Sequence, residues 1–207
     1  MMTKVKICGL MELEHVKMAV ESGADAIGFV FAKSRRQVTV DQAKELATAV
    51  PSNVLKIGVF VNEALGEVER IAKEVPLDMV QLHGDEDPNY VQCLSLPTIK
   101  ALSIRNHEDV RQAPSYEVDY FLFDAPGVEF RGGSGHSFDW SLLAKANISH
   151  DKVILAGGLN EENINEAINR VKPFMVDVSS GVETAQRKDA EKIRTFIRAV
   201  RDEERRA

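Results

Sequence analysis

The stretches VILAGGLN at residues 153–160 and MVDVSSGVE at residues 175–183 decide the fold of this chain. Each begins with a short apolar run rich in β-branched residues, typical of a buried strand, and continues into a loop of glycine or serine. Similar runs recur along the chain, separated by segments with the i, i+3, i+4 apolar spacing of amphipathic helices. The eight predicted strands are Val5–Cys8, Ala26–Val30, Ile57–Val61, Met79–Leu82, Ile99–Ser103, Tyr120–Phe123, Val153–Ala156 and Met175–Val178.

Eight βα units in one unbroken series, without a long linker, favour a closed (βα)8 TIM barrel over an open doubly wound sheet. The length of 207 residues lies near the lower limit for that fold and suits a single domain over residues 1–207. Start signals support the predicted helices, because Thr39 and Gln42 have capping-box spacing and Asn62 is a good capping residue. We therefore predict an α/β single-domain (βα)8 barrel.

Composition and charge exclude several classes of protein. A net charge of −6 and a pI near 5.5 argue against a surface for nucleic acid, which needs clustered Lys and Arg. No segment is apolar for long enough to span a bilayer, and the start of the chain does not resemble a secretory signal. The two cysteines, Cys8 and Cys93, form no CxxC pair and suit a reducing compartment. We predict a cytoplasmic protein without nucleic-acid or membrane partners.

The end of the first predicted strand, KICGL, carries a candidate catalytic thiol. Lys6 and Cys8 share one face of the strand because side chains alternate with period two. An ammonium beside a thiol favours the thiolate, so we expect Lys6 to lower the pKa of Cys8 and make it a base or a nucleophile. The alternative is that Cys8 is a small buried hydrophobe.

Two further strand ends carry titratable groups. Asp124 directly follows the apolar run YFLF, where desolvation raises a carboxyl pKa and keeps a proton available for general acid catalysis. An N-cap or a salt-bridged aspartate is the alternative. His83 follows the fourth strand and either contacts a substrate or is a hydrogen-bonded structural histidine. The histidines show no metal-ligand spacing, so we predict no metal.

The loops after the seventh and eighth strands predict a phosphate site. Glycine allows backbone N–H groups to approach an anion closely, and these two loops frequently bind phosphate in barrels. The candidates are Gly157, Gly158, Ser179, Ser180 and Gly181. The loop RGGSGHSFDW at residues 131–140 lacks the spacing of either nucleotide-binding motif, and we predict that it is a mobile cover.

Seven segments together resemble the phosphoribosylanthranilate isomerase family: KICGL, GADAIGFVF followed by KSRR, VQLHGDE, FLFD, GGSGHSFDW, LAGGLNEENI and VDVSSGVE. The match runs in order along nearly the whole chain. The resemblance implies a (βα)8 barrel in tryptophan biosynthesis. It also implies an Amadori rearrangement, in which N-(5′-phosphoribosyl)anthranilate becomes 1-(o-carboxyphenylamino)-1-deoxyribulose 5-phosphate. No cofactor motif is visible in the sequence, so we predict no cofactor.

The resemblance also implies roles for individual residues. The family's general base matches Cys8 and its general acid matches Asp124. The acid protonates the ribose ring oxygen, and the base removes the C2′ proton to give an enolamine. The family's contact to the anthranilate carboxylate matches Arg36, while His83 and Asp177 match residues near its substrate. Phosphate is expected on the two loops after the seventh and eighth strands.

Three departures from the family pattern lie at loop rims. Ala125 stands where a threonine is usual after the general acid, and Gln37 stands where a tyrosine or similar residue is usual. The stretch TAQRKD after Glu183 lacks the usual proline and glycine. Because these positions border the loops, we expect them to affect substrate affinity more than reaction type.

Two rival functions fit part of the pattern. A dual-substrate sugar isomerase of histidine and tryptophan synthesis is one, but such enzymes usually employ two aspartates, whereas the first strand here ends in Cys8. A non-catalytic phosphate-ligand sensor is the other, and it predicts binding without turnover. Either a monomer or a homodimer is compatible with the sequence.

Overall fold

The computed structural model describes residues 2–126, 138–145 and 148–205. Eight parallel strands close into a barrel in chain order, which confirms the predicted fold. The strands are β1 Lys4–Cys8, β2 Ala26–Val30, β3 Leu55–Phe60, β4 Met79–Leu82, β5 Thr98–Ser103, β6 Tyr120–Asp124, β7 Val153–Leu155 and β8 Met175–Val178. Both ends of every predicted run lie within two residues of the ends of the corresponding strand.

Helices surround the barrel and connect successive strands. They are α1 Leu13–Glu21, α2 Val40–Ala47, α3 Leu65–Glu74, α4 Pro88–Gln92, α5 His107–Arg111, α6 Ile164–Val171 and α7 Ala190–Glu204. Between β6 and β7 the described residues form 3₁₀ turns at Trp140–Lys145 and His150–Lys152 instead of an α-helix. The cover predicted for residues 131–140 lies largely outside the described residues. No helix in the described ranges is long and apolar enough to cross a membrane.

The N-terminal cap of α2 agrees with the prediction from the sequence, and that of α3 differs from it. The Thr39 side chain accepts from the backbone of Gln42, and the Gln42 side chain accepts in return, so the predicted capping box is confirmed. The expected cap at Asn62 is wrong, because Ala64 occupies the N-cap of α3. Asn62 instead accepts a hydrogen bond from the backbone of Asp85 at 2.6 Å and joins the loops after β3 and β4.

Side chains fill the barrel interior, so ligands have access only at its ends. A second, larger apolar layer lies between the strands and the helices. The interior cluster contains both small and large residues, as a closed eight-stranded barrel requires. Its members are Ala26, Ile57, Met79, Ile99, Ala101, Leu122, Ile154, Ala156 and Met175.

A repeated aspartate stabilises the amino-terminal end of the barrel. An aspartate directly precedes each of β2, β4 and β6, and its carboxylate accepts a hydrogen bond from a backbone N–H of the preceding strand. The bonds join Asp25 to Val5 at 2.7 Å, Asp78 to Lys56 at 2.7 Å and Asp119 to Thr98 at 2.8 Å. These carboxylates lie at the opposite end from the strand termini predicted to carry the site, so we assign them a structural role.

Candidate active site

A cavity of about 350 Å³ opens at the carboxyl ends of the strands. All the site residues predicted from the sequence line this single cavity. They are Cys8, Arg36, His83, Asp124, Gly157, Gly158, Asp177, Ser179, Ser180 and Gly181. The closed barrel brings them together because the carboxyl ends of all its parallel strands meet at one rim.

Cys8, the last residue of β1, directs its thiol toward β2, where Gly28 leaves room for it. Cys8 is opposite Gly28 in the register of the two strands. A Cβ at Gly28 would lie 2.8 Å from Cys8 Sγ and 3.2 Å from Lys6 Cε. No larger residue than glycine therefore fits at this position, although nothing in the sequence pattern singles it out.

The thiol is buried beside an ion pair. Lys6 is fully buried, and its Nζ lies 3.0 Å from Oδ1 of Asp177 on the neighbouring strand β8. Burial raises the pKa of Cys8, and the negative charge of Asp177 raises it further, while Lys6 and Lys188 oppose the shift. Lys6 acts on the pKa of Cys8 in the expected direction, but the expected net decrease of that pKa is wrong. The charge of Lys6 is already compensated by Asp177, and desolvation of the thiolate is the larger effect.

Asp124 ends β6 and is 4% exposed. Burial raises its pKa to about 7, with a further contribution from the charge of Asp177. A backbone hydrogen bond from Ala125 and the charge of Lys6 oppose that shift without cancelling it. The raised pKa agrees with the expectation from the apolar run before it. At neutral pH a substantial fraction of Asp124 therefore carries the proton that a general acid must donate.

His83 lies between Asp124 and Gln81 in the lining of the cavity. Its Nε2 is 3.5 Å from Oδ2 of Asp124, and its Nδ1 is 3.3 Å from Nε2 of Gln81. Donation from the Gln81 amide to Nδ1 leaves the imidazole proton on Nε2, directed at the carboxyl group. His83 therefore lines the cavity while both of its ring nitrogens face protein groups, which is compatible with either a substrate contact or a structural role.

A buried ion pair supports the loop that carries His83. Lys100 Nζ donates to Oε2 of Glu86 at 2.7 Å and to the carbonyl of Gly84 at 2.9 Å. The Glu86 carboxylate in turn accepts from the Gly84 backbone at 3.0 Å. Both charged side chains are almost fully buried. Because their partners lie on different elements, the sequence alone does not reveal this pair.

Arg36 lines the cavity, and its guanidinium is bound by a glutamate that the sequence pattern did not identify as functional. Its Nε donates to Oε1 of Glu183 at 2.7 Å and its Nη2 donates to Oε2 at 3.1 Å. Lys188 Nζ lies 2.9 Å from Oε1 of the same carboxylate, and Arg35 Nη2 lies 2.7 Å from Oε2. Burial acts to raise the pKa of Glu183, but Arg36 and Lys188 outweigh it and lower that pKa to about 2. Glu183 is therefore a permanent anion.

The two predicted phosphate loops have the backbone geometry of an anion site. Gly157 and Gly158 both adopt positive φ, at 85° and 63°. A Cβ at Gly157 would overlap the backbone nitrogen of Ala125. Within the described residues, the N–H groups of Gly158, Ser180 and Gly181 donate to no backbone carbonyl. These donors are available to an anion in the cavity.

The arrangement supports proton transfer on an anionic substrate. It combines a buried carboxyl group with a raised pKa, a buried thiol, a guanidinium and a set of backbone donors. In residues 2–126, 138–145 and 148–205, no cluster of His, Cys, Asp and Glu has the arrangement of a metal site. A buried carboxyl group with a raised pKa beside a buried thiol is suited to acid and base chemistry.

Comparison with known proteins gives one consistent family. The family described as N-(5'phosphoribosyl)anthranilate (PRA) isomerase matches residues 5–199. An N-(5'-phosphoribosyl)anthranilate isomerase of Bacillus cereus (strain Q1) is 53% identical over 195 residues, covering 94% of this chain and 96% of the relative. A protein of the same name from Bacillus anthracis (strain A0248) is 52% identical over 195 residues, with the same coverage of both chains.

Solved structures agree with that result. Phosphoribosyl anthranilate isomerase from Thermotoga maritima is 39% identical with a TM-score of 0.89, covering 97% of this chain and 100% of its own. A phosphoribosyl anthranilate isomerase in complex with reduced 1-(o-carboxyphenylamino)-1-deoxyribulose 5-phosphate is 38% identical with a TM-score of 0.86, at the same coverage. Another structure shows monomers generated from the dimeric Thermotoga maritima protein, at 37% identity, a TM-score of 0.86 and the same coverage.

Proposed function

This chain belongs to the N-(5'-phosphoribosyl)anthranilate isomerase family, and we propose that Cys8 is the general base and Asp124 the general acid of its reaction. The reaction converts N-(5′-phosphoribosyl)anthranilate into 1-(o-carboxyphenylamino)-1-deoxyribulose 5-phosphate in tryptophan biosynthesis. Its chemistry requires one proton donor and one proton acceptor at the same cavity, and no cofactor takes part in the proposed steps. The observation that carries the proposal is the buried carboxyl of Asp124, with its pKa raised to about 7, in the same cavity as the Cys8 thiol.

The proposed reaction begins with proton donation from Asp124 to the ribose ring oxygen. The C1′–O bond breaks as the anilino nitrogen lone pair forms the Schiff base. The Cys8 thiolate then removes the C2′ proton, and the electron pair of that C–H bond gives the enolamine. Tautomerisation of the enolamine yields the ketone, so the overall change is an isomerisation with no net gain or loss of atoms.

Of the two protonation states needed for this sequence, the Cys8 thiolate is the less populated one near neutral pH, whereas a substantial fraction of Asp124 is protonated. The pKa of Cys8 is raised above that of an ordinary thiol, whereas that of Asp124 is about 7. Near neutral pH the commoner state is therefore a neutral thiol, and the competent enzyme carries a thiolate and a protonated carboxyl group. Lys6 and Lys188 favour the thiolate, so their charges increase the competent fraction.

The two ends of the substrate meet opposite sides of the cavity in this proposal. The anthranilate carboxylate binds the guanidinium of Arg36, because a planar guanidinium accommodates a carboxylate through paired hydrogen bonds. The phosphate binds the backbone donors of Gly157 and Gly158 and of the loop over residues 179–181. His83 and Asp177 lie between these ends, beside the reacting carbon atoms, with Asp177 holding Lys6 in place.

The test is a fluorescence assay on freshly prepared phosphoribosylanthranilate. We expect Cys8→Ala and Asp124→Asn each to lose about a hundredfold to ten-thousandfold in kcat, the usual contribution of a general base or acid. Cys93→Ala and Asp41→Asn are the matched controls, since both residues are exposed and neither lines the cavity. Full activity in either active-site variant, after circular dichroism shows that it folds, would refute the assignment of that residue.

The alternative of a non-catalytic phosphate-ligand sensor is wrong, because this chain belongs to a family of isomerases. We further propose that residues 1–207 form one catalytic barrel that acts in the cytoplasm as a monomer or homodimer. The two free cysteines in the described residues fit a reducing compartment. Light scattering of the purified protein distinguishes the two assembly states.

A further inference from the structure

A short hairpin after β8 places a buried carboxylate against Arg36, which lines the cavity. The hairpin consists of β9 Glu183–Thr184 and β10 Arg187–Lys188. The Glu183 side chain is only 5% exposed and contacts three cations, as described above. The proton transfers proposed for Cys8 and Asp124 do not use it. A permanent anion beside the proposed binding site of a substrate carboxylate therefore needs another explanation.

The geometry of Arg36 supplies that explanation. A guanidinium offers paired donors along two edges, one formed by Nε and an Nη atom and the other by the two Nη atoms. Glu183 occupies the first edge of Arg36 with contacts of 2.7 and 3.1 Å. Among the described residues none accepts a hydrogen bond from Nη1 of Arg36, so the second edge is available to a ligand.

Glu183 is itself held too firmly to exchange with a substrate. The Lys188 side chain is 3% exposed, and its Nζ also donates to the carbonyl of Ser179 at 2.8 Å. Arg35 contacts the second carboxylate oxygen of Glu183. Three cations surround one carboxylate, which leaves a local excess of two positive charges. That excess favours the approach of an additional anion rather than replacement of Glu183.

We infer that Glu183 is a positioning residue for substrate selection: it fixes the plane of the Arg36 guanidinium so that the Nη1–Nη2 edge faces the substrate carboxylate. The inference rests on the proposed contact between Arg36 and that carboxylate. It assigns selection of the carboxylated aromatic ring to a pair of residues instead of to Arg36 alone. Lys188 supports the pair by holding Glu183 against the loop at Ser179.

The test compares two ligands that differ by one carboxylate. One is the reduced product analogue, and the other is the same molecule with a phenyl ring in place of the carboxyphenyl ring. Calorimetry measures the dissociation constants of both for wild type, Glu183→Gln and Arg36→Met. We expect Glu183→Gln to weaken binding of the carboxylated analogue by about tenfold or more, the size of a lost charge-assisted contact, and to leave the phenyl analogue within about twofold.

The control variant removes a different carboxylate that contacts the same hairpin. Glu12→Gln breaks an exposed ion pair in which Arg187 Nη2 lies 2.9 Å from Oε1 of Glu12. It should leave both dissociation constants unchanged. Glu183→Asp keeps the negative charge that the three cations need, but its side chain is one methylene shorter and does not reach both donors of Arg36 in the same position. It should therefore fold and still lose selectivity for the carboxylated analogue.

The outcomes separate this inference from the proposed function. If Arg36→Met keeps the selectivity for the carboxylated analogue, the proposed carboxylate contact of Arg36 is wrong. If Arg36→Met loses that selectivity and both Glu183 variants keep it, only the positioning role is wrong. Equal weakening of both analogues, or tighter binding of the carboxylated one by Glu183→Gln, also overturns the positioning role. In the Arg36→Met background, Glu183→Gln should have no further effect on selectivity.

Discussion

The buried carboxyl group of Asp124, the proposed general acid, should destabilise the fold as pH rises to neutral, and its neutral amide replacement should relieve that cost. Asp124 has a pKa of about 7 in the folded protein against an ordinary value of 3.8. Between these two values the unfolded chain releases the proton while the folded chain retains it. Stability therefore falls as pH rises from 3.8 to 7 and levels off above. Asp124→Asn cannot ionise and should lack this decline.

The magnitude follows from the two pKa values. A difference of about 3 pH units, from 3.8 to about 7, corresponds to about 4 kcal/mol at about 1.4 kcal/mol per unit. The carboxyl group is nearly fully buried, so solvent screening does not reduce the figure greatly. The difference in unfolding free energy between Asp124→Asn and wild type should thus grow by about 2 to 4 kcal/mol across this pH range.

The assay is urea-induced unfolding at closely spaced pH values from 4.5 to 8.5, followed by far-ultraviolet circular dichroism. Other titrating groups are common to both proteins and cancel in the difference. Asp41→Asn is the control, because its carboxylate is 95% exposed. If the difference between Asp124→Asn and wild type stays constant over this range, the carboxyl pKa is not raised, and the electrostatic basis of the general-acid assignment fails.

Three further changes have defined outcomes. Gly157→Ala should abolish most activity and destabilise the fold, since its Cβ would overlap the Ala125 backbone at positive φ; an active, stable variant would contradict the close approach of these loops. Gln186→Gly should raise the unfolding free energy by about 1 kcal/mol in urea titration, because Gln186 adopts φ 66° in the hairpin turn. Asp177→Asn should move the break in kcat/KM near pH 7 to lower pH, since the charge of Asp177 helps to raise the pKa of Asp124; an unmoved break would refute that coupling.

Much of the cavity is predictable from the sequence because the signals are local. Continuous apolar runs rich in β-branched residues mark the strands, and the end of each run marks the rim of the barrel. Cys8, His83 and Asp124 follow from that rule, as do the phosphate loops. Desolvation of Asp124 is predictable too, since its own strand supplies the apolar surroundings.

Other features depend on which side chains meet across the barrel. Glu183 contacts Arg36 across 147 residues, and Lys6 contacts Asp177 across 171 residues. No spacing rule connects positions so far apart. The wrong expectation for Cys8 has the same origin, because Lys6 is a neighbour on its own strand whereas the compensating carboxylate comes from β8.

The sequence by itself thus determined the barrel, the order of its strands and the residues at its catalytic rim. These features follow from backbone periodicity and from burial along single elements. Only the tertiary structure decided the partners of the charged groups and the direction of the thiol pKa. Both depend on the balance between desolvation and charges contributed by several strands, and that balance exists only after the barrel closes.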